Sequence, residues 1–202
     1  MWQRVRIRVS AAAAAGTVAL GVCVAAGHDL GQQTPSGPPR VNADAALAVE
    51  FTKRAQAYVA IHKKAAGQLP ALPKEATPQQ IDQHQRALGR LIEQARPKAP
   101  PGDIFTKEIR AYFRRQLEGA FSGPEGRQLK ASIMDENPGP IKLRVNGRYP
   151  DTVPLTTMPP QVLAALPKLP EQLEYRFIGE RLILLDVPAH LIVDYIEDAL
   201  PK

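Results

Sequence analysis

Two histidines of this chain occupy comparable places. His62 lies five residues before Gly67 and His84 seven after Thr77. Each falls on the apolar stripe of an expected helix. In an antiparallel hairpin of those helices, a rise of about 1.5 Å per residue puts the imidazoles roughly 7 and 10 Å from the connected ends, similar heights from which they can face each other. Such a pair is a donor set for a metal or haem iron. Without nearby carboxylates the pair is a weak metal signal, and it reads instead as two amphipathic residues at a core edge, each hydrogen-bonded locally.

Asp186, His190 and Asp194 recur at a spacing of four, with Pro188 inside the run. The proline argues against one continuous helix. In a turn between strands, Asp186 and His190 can still approach, and an Asp–His pair is half of several hydrolytic constellations. The nucleophile is the missing half. Ser36 lies in a Pro-rich stretch, Ser122 reads as a helix cap and Ser132 lies inside a helix; none sits in a Gly-flanked elbow. The carboxylate pairs Asp135-Glu136 and Glu197-Asp198 read as solvated termini, since no apolar pocket is visible to separate their pKa values. There is no Walker loop, dinucleotide fingerprint or His-Glu-x-x-His motif.

The elements that must position these residues begin near Asn42 or Asp44, either of which can cap a helix. Phe51, Ala55, Tyr58 and His62 recur at helical spacing, with Leu47 a turn earlier, and Gly67 and Pro70 end the helix. Thr77, Pro78 and Gln80 open a second helix with a capping box, and its stripe is Ile81, His84, Leu88, Leu91 and Ala95, widened by Ile92. A third helix over 104–119, capped by Asp103 or Thr106, buries Ile109, Tyr112, Phe113 and Leu117. The run Ser122-Gly123-Pro124-Glu125 reads as a further capping box, for a short helix that ends at Asn137-Pro138-Gly139.

At Ile141 the period changes from helical to alternating. Ile141, Leu143 and Val145 read as one face of a half-buried strand, and Asn146-Gly147 as a hairpin turn. Pro159-Pro160 open a short helix through Val162, Leu163 and Leu166. Leu173, Tyr175 and Phe177 then alternate, Gly179-Glu180 turns the chain, and 181–187 returns as an apolar strand. The β-branched Ile192, Val193 and Ile196 favour a third strand over a helix. The class expected is α+β: helices over 42–139, then a small antiparallel sheet within 140–202 that they cover, forming one domain.

The first 26 residues read as an export signal. Arg4, Arg6 and Arg8 form a basic n-region, Val9 to Ala26 is apolar and uncharged, and cleavage is expected between Ala26 and Gly27. Retention of the segment as an anchor and lipid attachment at Cys23 are the alternatives; Val22 fits a lipobox poorly. The polar, Pro-containing stretch 27–41 reads as a flexible tether. Cleavage removes the only Cys and the only Trp, which excludes thiol chemistry and disulfides from the remainder. It also lowers the formal charge of +6 by three arginines, leaving too little to imply nucleic acid as a partner. Lys63-Lys64, Arg114-Arg115 and the group Lys142, Arg144, Arg148 read as solvated faces.

From Asp44 onward the chain resembles a group of exported bacterial proteins of unassigned activity. The residues concerned are 102–106, Phe113-Arg114-Arg115, Leu143-Arg144-Val145-Asn146, Val153-Pro154-Leu155 and the stretch from Leu173 to Tyr195. The resemblance implies export and no site residue. The expected function is that of a periplasmic or secreted, non-enzymatic protein, without a cofactor or membrane span after signal removal. It would bind a protein or small molecule of the cell envelope through an apolar groove or unpaired strand edge between helices and sheet. A hydrolase using Asp186 and His190, and a metal or haem carrier using His62 and His84, are the alternatives.

Overall fold

The computed structural model describes residues 40–135, 139, 141–154 and 158–202, with side chains from residue 43 onward. The expected cleavage site at Ala26 and Gly27 and most of the expected tether lie outside the described residues. Helix α1 spans Arg40–Ala66, α2 Pro78–Ala95, α3 Lys107–Ala120, α4 Gly123–Asp135 and α5 Pro160–Ala165. Strands β1 (Leu173–Ile178), β2 (Arg181–Asp186) and β3 (Leu191–Ile196) follow. The class is α+β, with the helices first and the sheet at the C-terminal end.

Local chemistry accounts for most boundaries. The α2 capping box forms as expected: Thr77 Oγ1 accepts from Gln80 N–H, and the Gln80 side chain accepts from Thr77 N–H at 2.8 Å. Helix α3 starts later than the expected 104: Thr106, whose backbone is not helical, is its N-cap and accepts from Ile109 N–H, while the N–H groups of Ile104 and Phe105 bind the Asp194 carboxylate. Ser122 does not close a capping box; its hydroxyl donates to the Gly119 carbonyl at 2.8 Å and finishes α3. Gly126 is demanded by packing, since a Cβ there would lie 2.2 Å from the Phe121 carbonyl group.

The antiparallel sheet has the order β1-β2-β3, and β1 and β2 meet in a two-residue hairpin through Gly179-Glu180. Its helix-facing side carries Leu173, Tyr175, Phe177, Leu182, Leu184 and Val193 into the main core. There Phe51, Phe105, Phe113 and Tyr175 pack ring against ring, with centroids 4.8–6.3 Å apart. The opposite side buries Ile178, Ile183, Leu185 and Ile192 under Tyr149 and Val153. Strand β2 is thus covered on both faces, which explains its unbroken apolar run. A register shift between Leu184 and Leu185 puts a bulge in β3. Side-chain parity changes there: Ile192 and Tyr195 face the second cluster, while Val193 and Ile196 face the main core.

Two further readings of the sequence need correction. Residues 141–145 alternate in burial as a half-buried strand would, but they form no ladder. Backbone pairing begins only at the turn: Asn146 N–H donates to Ile192 O, Ile192 N–H to Gly147 O, and Tyr149 N–H to His190 O. Alternation reports a half-buried position, whereas a ladder requires a partner edge from elsewhere in the chain. On α2, Ile81 is 39 % exposed and Ala95 is exposed, so Leu88 and Ile92 carry the burial. The first turn of that helix is exposed, whereas its last turn still buries Ile92 and leads into the buried Arg96.

Candidate functional site

Asp186 is fully buried at the end of β2, and its partner is His62 rather than His190. Its Oδ2 lies 2.6 Å from His62 Nδ1 and accepts from the Tyr58 hydroxyl, also at 2.6 Å; its Oδ1 accepts from Ala189 N–H at 2.9 Å. A carboxylate only accepts, so Nδ1 carries the proton and Nε2 is the ring's free nitrogen. Tyr58 and His62 are four apart on α1 and so share a face. Burial above all, then the charge of Asp186 and its hydrogen bond, push the Tyr58 hydroxyl well above the ordinary value of 10.0, with Arg96 pulling the other way.

Arg96 extends the network. Its guanidinium sits 5.0 Å from the centroid of the Tyr58 ring, donates to Asn146 Oδ1 at 3.1 Å and pairs with Asp103 at 2.7 Å. Asn146 Nδ2 returns a bond to the Arg96 carbonyl at 2.9 Å. This locks the end of α2 to the Asn146-Gly147 turn, where Asn146 has φ 59°.

The other candidates are placed apart from this network. His190 adopts φ 49°, stands edge-on to Tyr149 with ring centroids 5.6 Å apart, and holds Nε2 3.5 Å from Asp151 Oδ1 without a hydrogen bond. Burial first, then Arg148, lowers its pKa below the ordinary 6.5, against the opposing pull of Asp151 and Asp82. No hydrogen bond or ion pair joins Asp186 to His190 among the described residues. His84 is half-buried on α2 and takes no part in the His62–Asp186 pair. No group of three or more metal-ligating side chains occurs among the described residues.

Chemically, an Asp–His pair can orient a general base. Here the hydroxyl shares the carboxylate oxygen that binds the imidazole, so it does not stand at Nε2, where a nucleophile would give up its proton. The network ties α1, β2 and the turn after β2 together. The sequence points to Asp186 and His62 but with other partners, places Tyr58 and Asn146 only as a helix-stripe and a turn residue, and carries no signal for Arg96. The spacing of Tyr58 and His62 was the available signal; their shared partner lies 124 to 128 positions further along the chain.

A second feature lies along β1. Pro159 and Pro160 start α5, which buries Val162 and leaves Leu163 47 % exposed beside an exposed Ala164. The chain then passes through Pro167 to Pro170 into β1, and the Tyr175 hydroxyl fixes this connection by donating to the Pro167 carbonyl at 3.0 Å. Between α5, the connection and β1 runs a groove of about 700 Å³, lined chiefly by Met158, Leu163, Ala164, Leu169, Leu173 and Tyr175. β1 is the edge of the sheet. Its hairpin register directs the backbone groups of Tyr175 and Phe177 away from β2.

Comparison with known proteins yields no match to a family model, to a curated protein or to a solved structure. No helix among the described residues is long and apolar enough to cross a membrane.

Proposed function

We propose that this is an exported bacterial protein of the cell envelope, periplasmic or secreted, that binds an apolar small molecule without transforming it. The observation that carries the reading is the groove along β1. Its volume of about 700 Å³ falls within the range of small-molecule sites, and a mostly apolar lining with a few polar groups at the margin is their usual composition. The exposure of Leu163 supports it, since an apolar side chain facing a concave surface gains by being covered. The Asp186 network supports a binding role over a catalytic one: its three hydrogen bonds join elements of the fold, and none reaches the groove lining.

Export is supported by the basic, apolar and small-residue pattern of the first 26 residues. N-terminal sequencing of the protein recovered outside the cytoplasm is expected to begin at Gly27. A chain beginning at Met1, or lipidated at Cys23, overturns the cleavage site.

Binding is tested with Nile red and the full chain. Fluorescence is expected to rise on addition of the protein, and Ala164→Trp, which fills the groove from an exposed position, is expected to weaken binding by about tenfold or more, equal to 1.4 kcal/mol. Undiminished binding by that variant, with its fold intact by circular dichroism, overturns the groove as the site.

A further inference from the structure

Four consecutive residues of β1, Leu173 to Arg176, line the groove. Side chains of a strand alternate between its faces, so a cavity over one face meets every second residue. A cavity that meets four in succession approaches the strand from its edge. The groups presented there follow from the β1–β2 register. Ile178 and Arg181 flank the two-residue turn, and counting back in twos puts Arg176 and Glu174 in hydrogen-bonded pairs with β2. The backbone groups of Leu173 and Tyr175 therefore point outward. Leu173 N–H is taken by the Pro170 carbonyl at 3.0 Å; Leu173 C=O and both backbone groups of Tyr175 bond to no other described residue.

These open groups restrict what can fill the groove. An occupant apolar throughout would strip water from two carbonyls and an amide without replacing their bonds, and each loss weakens binding. An occupant with donors and acceptors at strand spacing keeps them paired. The two faces beside the edge also differ. Leu173 and Tyr175 share the core side with Met158 and Leu169, whereas Glu174 and Arg176, of the opposite parity, are ion-paired with each other. Building on the groove as a binding site, we infer that its ligand is a short extended peptide that adds a strand antiparallel to β1. Apolar side chains at alternate positions face Met158 and Leu169, and polar ones lie beside Glu174 and Arg176. Antiparallel addition continues the pattern of the sheet and exchanges two bonds with Tyr175. Leu173 to Arg176 span roughly 10 Å at about 3.4 Å per residue, which suits four or five residues. A second copy of the chain fits less well, because its own β1 edge is set behind its α5 and the 167–170 connection.

The test uses the full chain and the capped peptide acetyl-Leu-Thr-Leu-Thr-Leu-amide, with affinity read by calorimetry. Two variants of the peptide carry N-methyl groups, one on its leucine nitrogens and one on its threonine nitrogens. In antiparallel addition with the leucines on the apolar side, the leucine N–H groups meet β1 and the threonine N–H groups point away. Leucine methylation is expected to weaken binding by about tenfold or more, and threonine methylation to leave it within about twofold. Hydrogen exchange of the protein supplies a second readout. The Tyr175 amide is expected to exchange fast in the free protein and, with peptide at about ten times its Kd, about tenfold more slowly. Equal affinities for the three peptides, a loss confined to the threonine variant, or an unchanged Tyr175 amide in the bound protein overturns antiparallel strand addition. Nile red binding with no peptide binding overturns the peptide and leaves the groove standing; loss of both overturns the groove reading. A Tyr175 amide already slow in the free protein, together with a dimer in sedimentation, overturns the peptide in favour of a second copy.

Discussion

Asp186 and Asp194 are both fully buried, and they are held by different kinds of partner. Asp194 is satisfied by backbone alone: Oδ1 accepts from Gly102 and Tyr195, and Oδ2 from Ile104 and Phe105, all at 2.8–2.9 Å. Asp186 is satisfied largely by side chains, Tyr58 and His62, with one backbone N–H from Ala189. Backbone donors cannot rotate away, so Asp194 pins one loop in one shape. Side-chain donors can be exchanged or ionised, so the Asp186 network responds to substitution and to pH. The bulge in β3 serves the first arrangement, because strict alternation cannot put Val193 on the core side and still bring Asp194 to the 102–105 loop.

The largest effect should come from removing the carboxylate that has no flexible partners. Asp194→Asn puts an amide donor against backbone donors and orphans two of them, at a cost of about 4 kcal/mol. Urea unfolding measures it, and a loss below about 1 kcal/mol, the value of one ordinary hydrogen bond, would break the comparison. Asp186→Asn should cost less, about 2 kcal/mol, because an Asn oxygen in the Oδ2 position can still accept from both Tyr58 and His62, and only Ala189 N–H is left facing an amide donor. Equal losses at the two positions would show that the kind of partner is immaterial.

Tyr58→Phe should cost about 1 kcal/mol near neutral pH, since Asp186 keeps His62 and Ala189 as donors. Its pH signature is more specific. The folded pKa of Tyr58 is raised, so above about 10 the unfolded state releases its proton first and stability falls as pH climbs towards the folded value. Below about 10 that contribution is fully present. The alkaline limb of a Tm-versus-pH profile should therefore be shallower in Tyr58→Phe than in the parent, and an unchanged limb would assign the effect to Tyr175, also held well above its ordinary value by burial.

The smallest effect is expected at His190, outside both networks. Its folded pKa is lowered, so below about 6.5 the unfolded chain takes up the proton first and stability falls as pH falls. His190→Asn keeps a residue tolerant of positive φ and should flatten that acid limb while leaving stability at pH 8 nearly unchanged. A profile identical to the parent would place the acid sensitivity elsewhere.

Much of the fold was legible because it is written locally. The Thr77–Gln80 capping box, the buried face of α3 and the hairpin at Gly179-Glu180 all depend on residues a few positions apart. The alternation at 141–145 was equally legible, yet its meaning was not, since no local signal says whether a partner strand lies alongside. Of the sites, the groove was expected only as a type of feature, between helices and sheet. Its lining comes from α5, the 167–170 connection and β1 together.

The histidines show where that boundary falls. Local pattern alone puts His62 on one helical face with Tyr58, puts Asp186 near the end of an apolar strand, and leaves no serine in a hydrolase elbow. Packing across the molecule is what pairs Asp186 with His62, 124 positions away, and turns His190, four positions from Asp186, towards Tyr149 and Asp151. The reason is geometric. Side-chain direction along a helix or strand follows from the period of the element, whereas the choice of partner follows from which elements pack together, and that is settled by burial summed over the whole core.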